Sequence, residues 1–245
     1  MKIMQNLTQP HGARRRVLSV LLTLAMVFAV LPAMTLPASA AGGTGTPDYD
    51  WYNGHSSPYT ISTADELAGL AQIVNGTTGG DPAFDDFSGK IINLADDINL
   101  SVYGASYNGG AGWIPIGSTK NSIEFKGIFA GDGHTIFGLY INRTAPVWGS
   151  ALFGYVKDGT VKNLGIVGAS VTSIDDDTAP VVAWIRGGTV SNCYATGCTV
   201  SGELSVGGVV AYAYGSTISN CYSTATVSGD YGIGGVVGEI DKSTV

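Results

Sequence analysis

The side chains best suited to chemistry are three consecutive acids, Asp175, Asp176 and Asp177, in the longest of three repeated segments. Such carboxylates can bind Ca²⁺ or supply the acid and base of glycoside cleavage. Asp also favours solvated turns, and adjacent side chains diverge, so the pattern favours a turn over a site. We therefore expect no bound cofactor and keep Ca²⁺ as the alternative.

Histidine offers little further material for catalysis. His134 lies in the turn Gly131–Thr135, where a hydrogen bond that anchors the turn is favoured over a catalytic role. His11 and His55 lie far from it in the sequence, and no partner for a Ser-His-Asp triad can be placed beside any of the three. We expect no catalytic residue and no resident metal, which favours a noncatalytic protein.

Two tyrosines occupy the same position in neighbouring repeats. Tyr194 and Tyr222 lie 28 residues apart, and outward-facing rings could form a strip on which sugars stack. The alternative is that the rings only cover the wall of the domain.

The cysteines point to a buried slot. Cys193 and Cys221 align, and Leu164 holds the same place one repeat earlier, which indicates an inward apolar position. Parallel Cβ directions disfavour a disulfide between stacked neighbours, so two stacked free thiols are preferred. Cys198 makes the count odd, which leaves the disulfide state open.

These residues belong to an internal repeat. Thr160–Leu164 recurs as Thr189–Cys193 and Thr217–Cys221, and Thr244-Val245 begins a further copy. Other positions match within each copy, including the asparagines Asn163, Asn192 and Asn220, the valines Val171, Val200 and Val227, and the hydroxyl residues Ser170, Thr199 and Thr226.

The repeat predicts an all-β parallel β-solenoid. Each unit of about 28 residues holds short Val, Ile, Thr and Tyr runs separated by Gly, Ser, Asn and Asp, which is typical of strands and turns. We expect three short strands per coil, with equivalent residues stacked at about 4.8 Å. The three asparagines would then form a structural ladder at a left-handed corner, and the valines would face inward.

One helix precedes the repeats. Thr63 with Glu66 forms a capping box, apolar residues follow at helical spacing, and Asn75-Gly76 ends the run. Such a helix could cover the first coil of the solenoid. The predicted organisation is therefore a signal peptide (1–40), an N-terminal loop (41–62), the capping helix (63–76), irregular first coils (77–159) and regular repeats (160–188, 189–216 and 217–243) within an apparently truncated region 160–245.

The first 40 residues predict export. A basic start, an apolar run from Val17 to Val30 and Ala38-Ser39-Ala40 are typical of a cleaved signal peptide, with an uncleaved anchor as the alternative. This leader carries four of the 12 basic residues and none of the 19 acidic ones, so the remainder has a net charge of −11. Such a charge argues against nucleic acid and against anionic lipid as partners.

The motifs together resemble the GLUG-repeat proteins of bacterial surfaces. The signature stands here as Gly235–Gly238, in weaker form as Gly208–Ala211 and Ala151–Gly154, and the first complete copy departs from it at Pro180–Ala183. The resemblance implies a right-handed β-helix in large exported proteins that are often adhesive or attached to the wall. Some relatives carry a metalloprotease domain, but the zinc-binding sequence HExxH does not occur here.

We therefore expect a secreted or cell-surface module that serves in adhesion, as a spacer or in display. Its partners would be a host matrix protein, a glycan or a cell-wall component, with further repeats or domains beyond Val245. The alternative is a carbohydrate-active β-helix enzyme, a polysaccharide lyase or hydrolase that uses Asp175, Asp176 and Asp177.

Overall fold

A computed structural model describes residues 40–55, 57–145, 149–174 and 176–245. These residues form the predicted parallel β-solenoid, with about six turns and one short helix on its N-terminal side. The right-handed winding that we expect stays a prediction. The signal peptide that we predict lies outside the described residues, apart from Ala40.

The strands are short, as the frequent Gly, Asn and Asp residues require. In chain order they are β1 (Tyr59–Ile61), β2 (Ile91–Leu94), β3 (Ile98–Asn99), β4 (Ile128–Ala130), β5 (Thr135–Phe137), β6 (Tyr140–Arg143), β7 (Phe153–Lys157), β8 (Thr160–Lys162), β9 (Gly165–Val167), β10 (Ser170–Ser173), β11 (Val182–Arg186), β12 (Thr189–Ser191), β13 (Tyr194–Thr196), β14 (Thr199–Ser201), β15 (Leu204–Gly207), β16 (Val210–Tyr214), β17 (Thr217–Ser219), β18 (Tyr222–Ser223), β19 (Thr226–Ser228), β20 (Tyr231–Gly234) and β21 (Val237–Asp241).

Parallel pairing joins these strands into sheets that run along the solenoid. The orders are β1-β2-β4-β8-β12-β17, β3-β5-β9-β13-β18, β6-β10-β14-β19, β7-β11-β16-β21 and β15-β20. A regular coil therefore holds four strands, or five where β15 or β20 is present, and not the three that we expected. The reason is that Gly and Asn corners divide each coil more finely than the apolar runs indicate.

The register agrees with the sequence repeat. Val171 pairs with Val200, and Val200 pairs with Val227. Thr189 lies between Thr160 and Thr217 in the same way. Each inward position therefore stacks on its counterpart, and the fully buried Val161, Val171, Val190 and Val200 belong to one continuous apolar core.

The predicted helix, α1, spans Ala64–Asn75. Thr63 Oγ1 accepts the Glu66 amide at 3.2 Å, and Glu66 Oε2 accepts the Thr63 amide at 3.0 Å, which completes the capping box. Gly76 ends the helix with φ 64°, a left-handed value that suits glycine. The apolar face of α1 joins the core of the first coils, including Leu67, Leu70, Ile73 and Val74.

The irregular first coils also contain two 3₁₀ turns, at Ser101–Tyr103 and Asn108–Gly110. Among the described residues, no helix has both the length and the apolar character needed to cross a membrane.

Candidate functional site

A groove of about 350 Å³ runs along one side of the regular coils. We call it the axial groove. One row of lining residues, the first wall, is Asp176, Leu204 and Tyr231, the other, the second wall, is Trp184, Tyr212 and Glu239, and Asp177 and Ser205 complete the lining. Three successive coils each contribute one residue to each wall, so the groove follows the axis of the solenoid.

The first wall is positioned by a repeated corner. Asp177, Ser205 and Gly232 have φ values of 59°, 48° and 60°, and the pairing of Leu204 with Tyr231 places this left-handed corner at the same point of each coil. A left-handed residue turns the chain sharply. The residue before each corner therefore lines the groove, and Leu204 and Tyr231 lie in one row.

The aromatic part of the second wall, Trp184 and Tyr212, continues a row of rings that begins outside the groove at Tyr155 of β7. Trp184 pairs with Tyr155 on one side and with Tyr212 on the other. The Trp184 and Tyr155 rings are stacked at 5.2 Å with an interplanar angle of 23°, and Trp184 and Tyr212 meet edge to face at 5.7 Å. Contacts of this kind hold the indole rigidly between its neighbours.

The groove has a negative electrostatic character. Burial raises the pKa of Tyr212, and the negative charges of Asp241, Glu239 and Asp177 raise it further. Ser205 Oγ donates to Glu239 Oε2 at 3.1 Å, which orients that carboxylate within the groove lining. No Lys, Arg or His is among the described residues that line the groove.

Comparison with known families matches the segment that supplies three of the eight residues lining the groove. The family model described as the GLUG motif matches residues 202–228. The chain carries a GLUG motif. The matched segment includes β15 and β16, and therefore the Ser205 corner, Leu204 and Tyr212.

Two relatives extend the similarity beyond the GLUG motif. The chain is 35% identical over 168 residues to a protein named halomucin from Haloquadratum walsbyi, which is 68% of this chain and 2% of halomucin. It is 33% identical over 133 residues to a putative Gly-rich membrane protein from Evansella cellulosilytica, which is 54% of this chain and 12% of that protein. The chain thus spans a small part of either relative. No solved structure matches this GLUG-motif chain.

The structure brings two of the predicted acids to the axial groove beside the GLUG motif. Asp176 and Asp177 line it, whereas Asp175 lies outside the described residues. The described residues contain no group of three or more His, Cys, Asp or Glu side chains placed to hold a metal ion. Sequence reasoning missed Trp184 and Glu239, although comparison of residues 155, 184, 212 and 239 at the repeat period would have placed them in one row.

The three asparagines lie at a second repeated corner. Asn163, Asn192 and Asn220 have φ values of 54°, 53° and 53°, in the left-handed region that Asn tolerates. Asn192 Nδ2 donates to Asn163 Oδ1 at 3.0 Å, one rung below. The three asparagines lie outside the axial groove, and the complete ladder through Asn220 stays a prediction.

The slot of Leu164, Cys193 and Cys221 faces the core. Leu164 and Cys193 are fully buried, Cys221 is half-buried, and all three cysteines of the chain are free. The neighbouring Cys221 thiol, together with burial, raises the pKa of Cys193, and the Cys193 thiol lowers the pKa of Cys221 to about 7.

Tyr194 and Tyr222 stack face to face, with ring centroids 5.2 Å apart and planes at 9°. Tyr222 is 54% exposed, and the Tyr194 hydroxyl lies 3.0 Å from Thr135 Oγ1. The pair belongs to the sheet of β13 and β18, away from the axial groove, so it forms a separate aromatic surface.

His134 has a neighbour that the sequence did not indicate. Its Nδ1 lies 3.6 Å from Asp97 Oδ1, and the same oxygen accepts the Thr135 amide at 2.7 Å. The His134 amide donates to Gly131 O at 2.8 Å, which closes the turn. The contacts anchor this turn to the preceding coil.

Proposed function

We propose that this chain is a noncatalytic exported repeat domain of a surface protein, acting in adhesion or as a spacer or display module. The observation that carries the proposal is the unbroken parallel register of the repeats, in which each coil adds one rung to the same axis. A rod built this way gains length and outward surface with every repeat.

Three further observations support this role. The first 40 residues have the features of a secretory leader. One relative is named halomucin and the other a putative Gly-rich membrane protein, names that fit a surface location. The net charge of −11 after the leader keeps such a rod soluble outside the cell.

The partners that we propose are a host matrix protein, a glycan or a cell-wall component. The axial groove and the Tyr194–Tyr222 pair are the surfaces offered for contact, because both expose aromatic rings in fixed positions. Aromatic faces pack against the apolar faces of sugars and against peptide side chains.

The deciding experiment combines binding with turnover. The full chain is applied to an array of glycans and matrix proteins, and the same preparation is incubated with polysaccharides with and without Ca²⁺. Binding without turnover supports the proposal. Turnover that is lost in the triple variant Asp175→Asn, Asp176→Asn, Asp177→Asn would establish the carbohydrate-active enzyme instead.

A further inference from the structure

Each end of the axial groove carries one carboxylate and one aromatic ring. The wall that carries the carboxylate at one end carries the aromatic ring at the other. In the first contributing coil, one row of lining residues holds Asp176 and the other holds Trp184, and two coils later the same rows hold Tyr231 and Glu239. Each end therefore pairs one carboxylate with one aromatic ring. With about 4.8 Å per rung, the two pairs lie about 10 Å apart along the axis.

This combination suits an organic cation. The face of an aromatic ring carries negative potential, and an ammonium group over it gains about 0.5–1 kcal/mol at exposed sites. Neighbouring carboxylates add attraction for the same charge. The raised pKa of Tyr212, caused first by burial and then by Asp241, Glu239 and Asp177, is consistent with negative potential between the walls.

The same strand already binds cations in this way. Tyr214, the next outward residue of β16 after Tyr212, has the Arg186 guanidinium 5.5 Å and the Lys242 ammonium 5.0 Å from its ring centroid. Lys242 Nζ also donates to the Tyr214 hydroxyl at 2.9 Å. These two cations engage Tyr214 on the row next to the groove, and neither lines the groove itself.

A metal ion fits the arrangement less well than an organic cation does. Ca²⁺ needs six to eight oxygen ligands at 2.3–2.6 Å, whereas Asp176 and Glu239 come from coils two rungs apart. An alkylammonium group spreads its charge over a larger surface, and a groove of about 350 Å³ lies within the range of small-ligand pockets.

We propose that the axial groove is a binding site for alkylammonium groups, each packed against the rings of Trp184, Tyr212 and Tyr231 and attracted by the carboxylate of the nearer end. The group could belong to a quaternary ammonium compound or to a lysine side chain of a peptide. This site goes beyond the proposed surface function, because its geometry does not depend on where the protein is displayed.

The test is calorimetric titration of the full chain with choline and with its neutral isostere, 3,3-dimethylbutan-1-ol. Choline should bind at least about tenfold more tightly, since only it carries the charge. Titration with N-acetyl-lysine methylamide then separates the two sources: binding tighter than that of choline assigns a lysine peptide, and weaker binding assigns a quaternary ammonium.

Variants locate the site. Tyr231→Ala removes a ring that is 71% exposed, and Glu239→Gln removes one charge and keeps an acceptor for Ser205. Each change should weaken choline binding about threefold, and the double variant about tenfold. Matched controls outside the groove are Tyr222→Ala, a ring that is 54% exposed, and Glu203→Gln, an exposed acid.

Three results would overturn the proposal. They are equal affinity for choline and its neutral isostere, choline affinity unchanged in the double variant, and tighter binding of a neutral hexose oligomer than of choline at the same groove. The array experiment tests the surface function independently of the choline titration. A surface module that lacks an alkylammonium site is therefore distinguished from a chain that has the site but no adhesive function.

Discussion

At the scale of single residues, the Asn192 corner combines a backbone requirement with a side-chain bond. Its φ of 53° is unfavourable for a residue with a β-carbon other than Asn or Asp, and its amide bonds Asn163 in the coil below. The two contributions can be separated, because glycine meets the first requirement and lacks the amide.

We expect Asn192→Ala to lower the free energy of unfolding by about 1–2 kcal/mol. Asn192→Gly should lower it by less, because the left-handed backbone is restored. Urea unfolding followed by circular dichroism measures both, with Ser191→Ala at the adjacent position as the control. Equal losses in the Ala and Gly variants would mean that the backbone conformation costs nothing here.

Thr178 is a buried residue whose hydroxyl group has no hydrogen-bond partner among the described residues. It is 0% exposed, and Val206 holds the equivalent place in the next coil. Burial of an unpaired hydroxyl costs free energy that a methyl group would not.

Thr178→Val should therefore raise the free energy of unfolding by about 1 kcal/mol. The matched control is Thr135→Val, since Thr135 is also buried but its Oγ1 lies 3.0 Å from the Tyr194 hydroxyl, so that change should destabilise. Urea midpoints of the two variants are compared. The same sign of effect in both would contradict the argument.

At the scale of elements, α1 depends on its first turn. Thr63 and Glu66 satisfy each other's backbone amides, and Asn75 at the other end donates to Pro115 O at 2.9 Å and accepts from the Gly117 amide at 3.0 Å. The capping box thus stabilises the N-terminal end of the helix, and the Asn75 hydrogen bonds attach its C-terminal end to the irregular first coils.

We expect Thr63→Ala to cost about 1 kcal/mol of stability, because a helix amide loses its acceptor. Thermal unfolding monitored at 222 nm gives the change, and Thr60→Ala on the exposed face of β1 serves as the control. A loss no greater than that of the control would show that the capping box contributes nothing to the fold.

The cysteine slot is a stack of equivalent inward-facing positions in successive coils. Cys193 and Cys221 stack with Leu164 as apolar residues, and thiol donors reach backbone oxygens, as in the 3.4 Å contact of Cys193 Sγ with Ser191 O. We predict three free thiols. Alkylation of the unfolded chain, read by mass spectrometry, should add three groups with or without prior reduction, and a count of one before reduction would establish a disulfide.

At the scale of the whole molecule, ionised carboxylates join segments that are far apart in the sequence. Burial alone would raise the pKa of Asp65, but hydrogen bonds from Thr44, Tyr103 and Gly45 outweigh it, so the pKa is lowered. The pKa of Glu124 is lowered in the same way, because bonds from Lys157 and Lys126 outweigh its burial.

A carboxylate whose pKa is lower in the folded state stabilises the fold above its ordinary pKa near 4, and this stabilisation is lost as the pH falls through the folded-state value. The free energy of unfolding should therefore decrease from about pH 5 downwards. Asp65→Asn should reduce that slope, and Tyr103→Phe, which removes one donor, should give part of the effect. Urea titrations at a series of pH values provide the measurement, and an unchanged slope in Asp65→Asn would refute the linkage.

The sequence by itself determined the repeat, its register and the type of fold. Stacked β-branched residues and left-handed Asn corners recur at a fixed period. β-Branched residues favour strands and Asn tolerates the left-handed conformation, and both preferences act within each coil by itself. The α1 helix was equally predictable, because its capping box and glycine stop are contiguous in the chain.

The tertiary structure alone decided the number of strands per coil and the site. Trp184 and Glu239 are 55 residues apart in the sequence and share a wall only because the solenoid superposes every coil on the last. The first wall depends on the corner at Asp177, Ser205 and Gly232, where three different residue types adopt one backbone conformation. The groove exists because two segments of each coil lie side by side in the folded chain. The local conformational preferences of single residues do not specify how those segments are placed relative to each other.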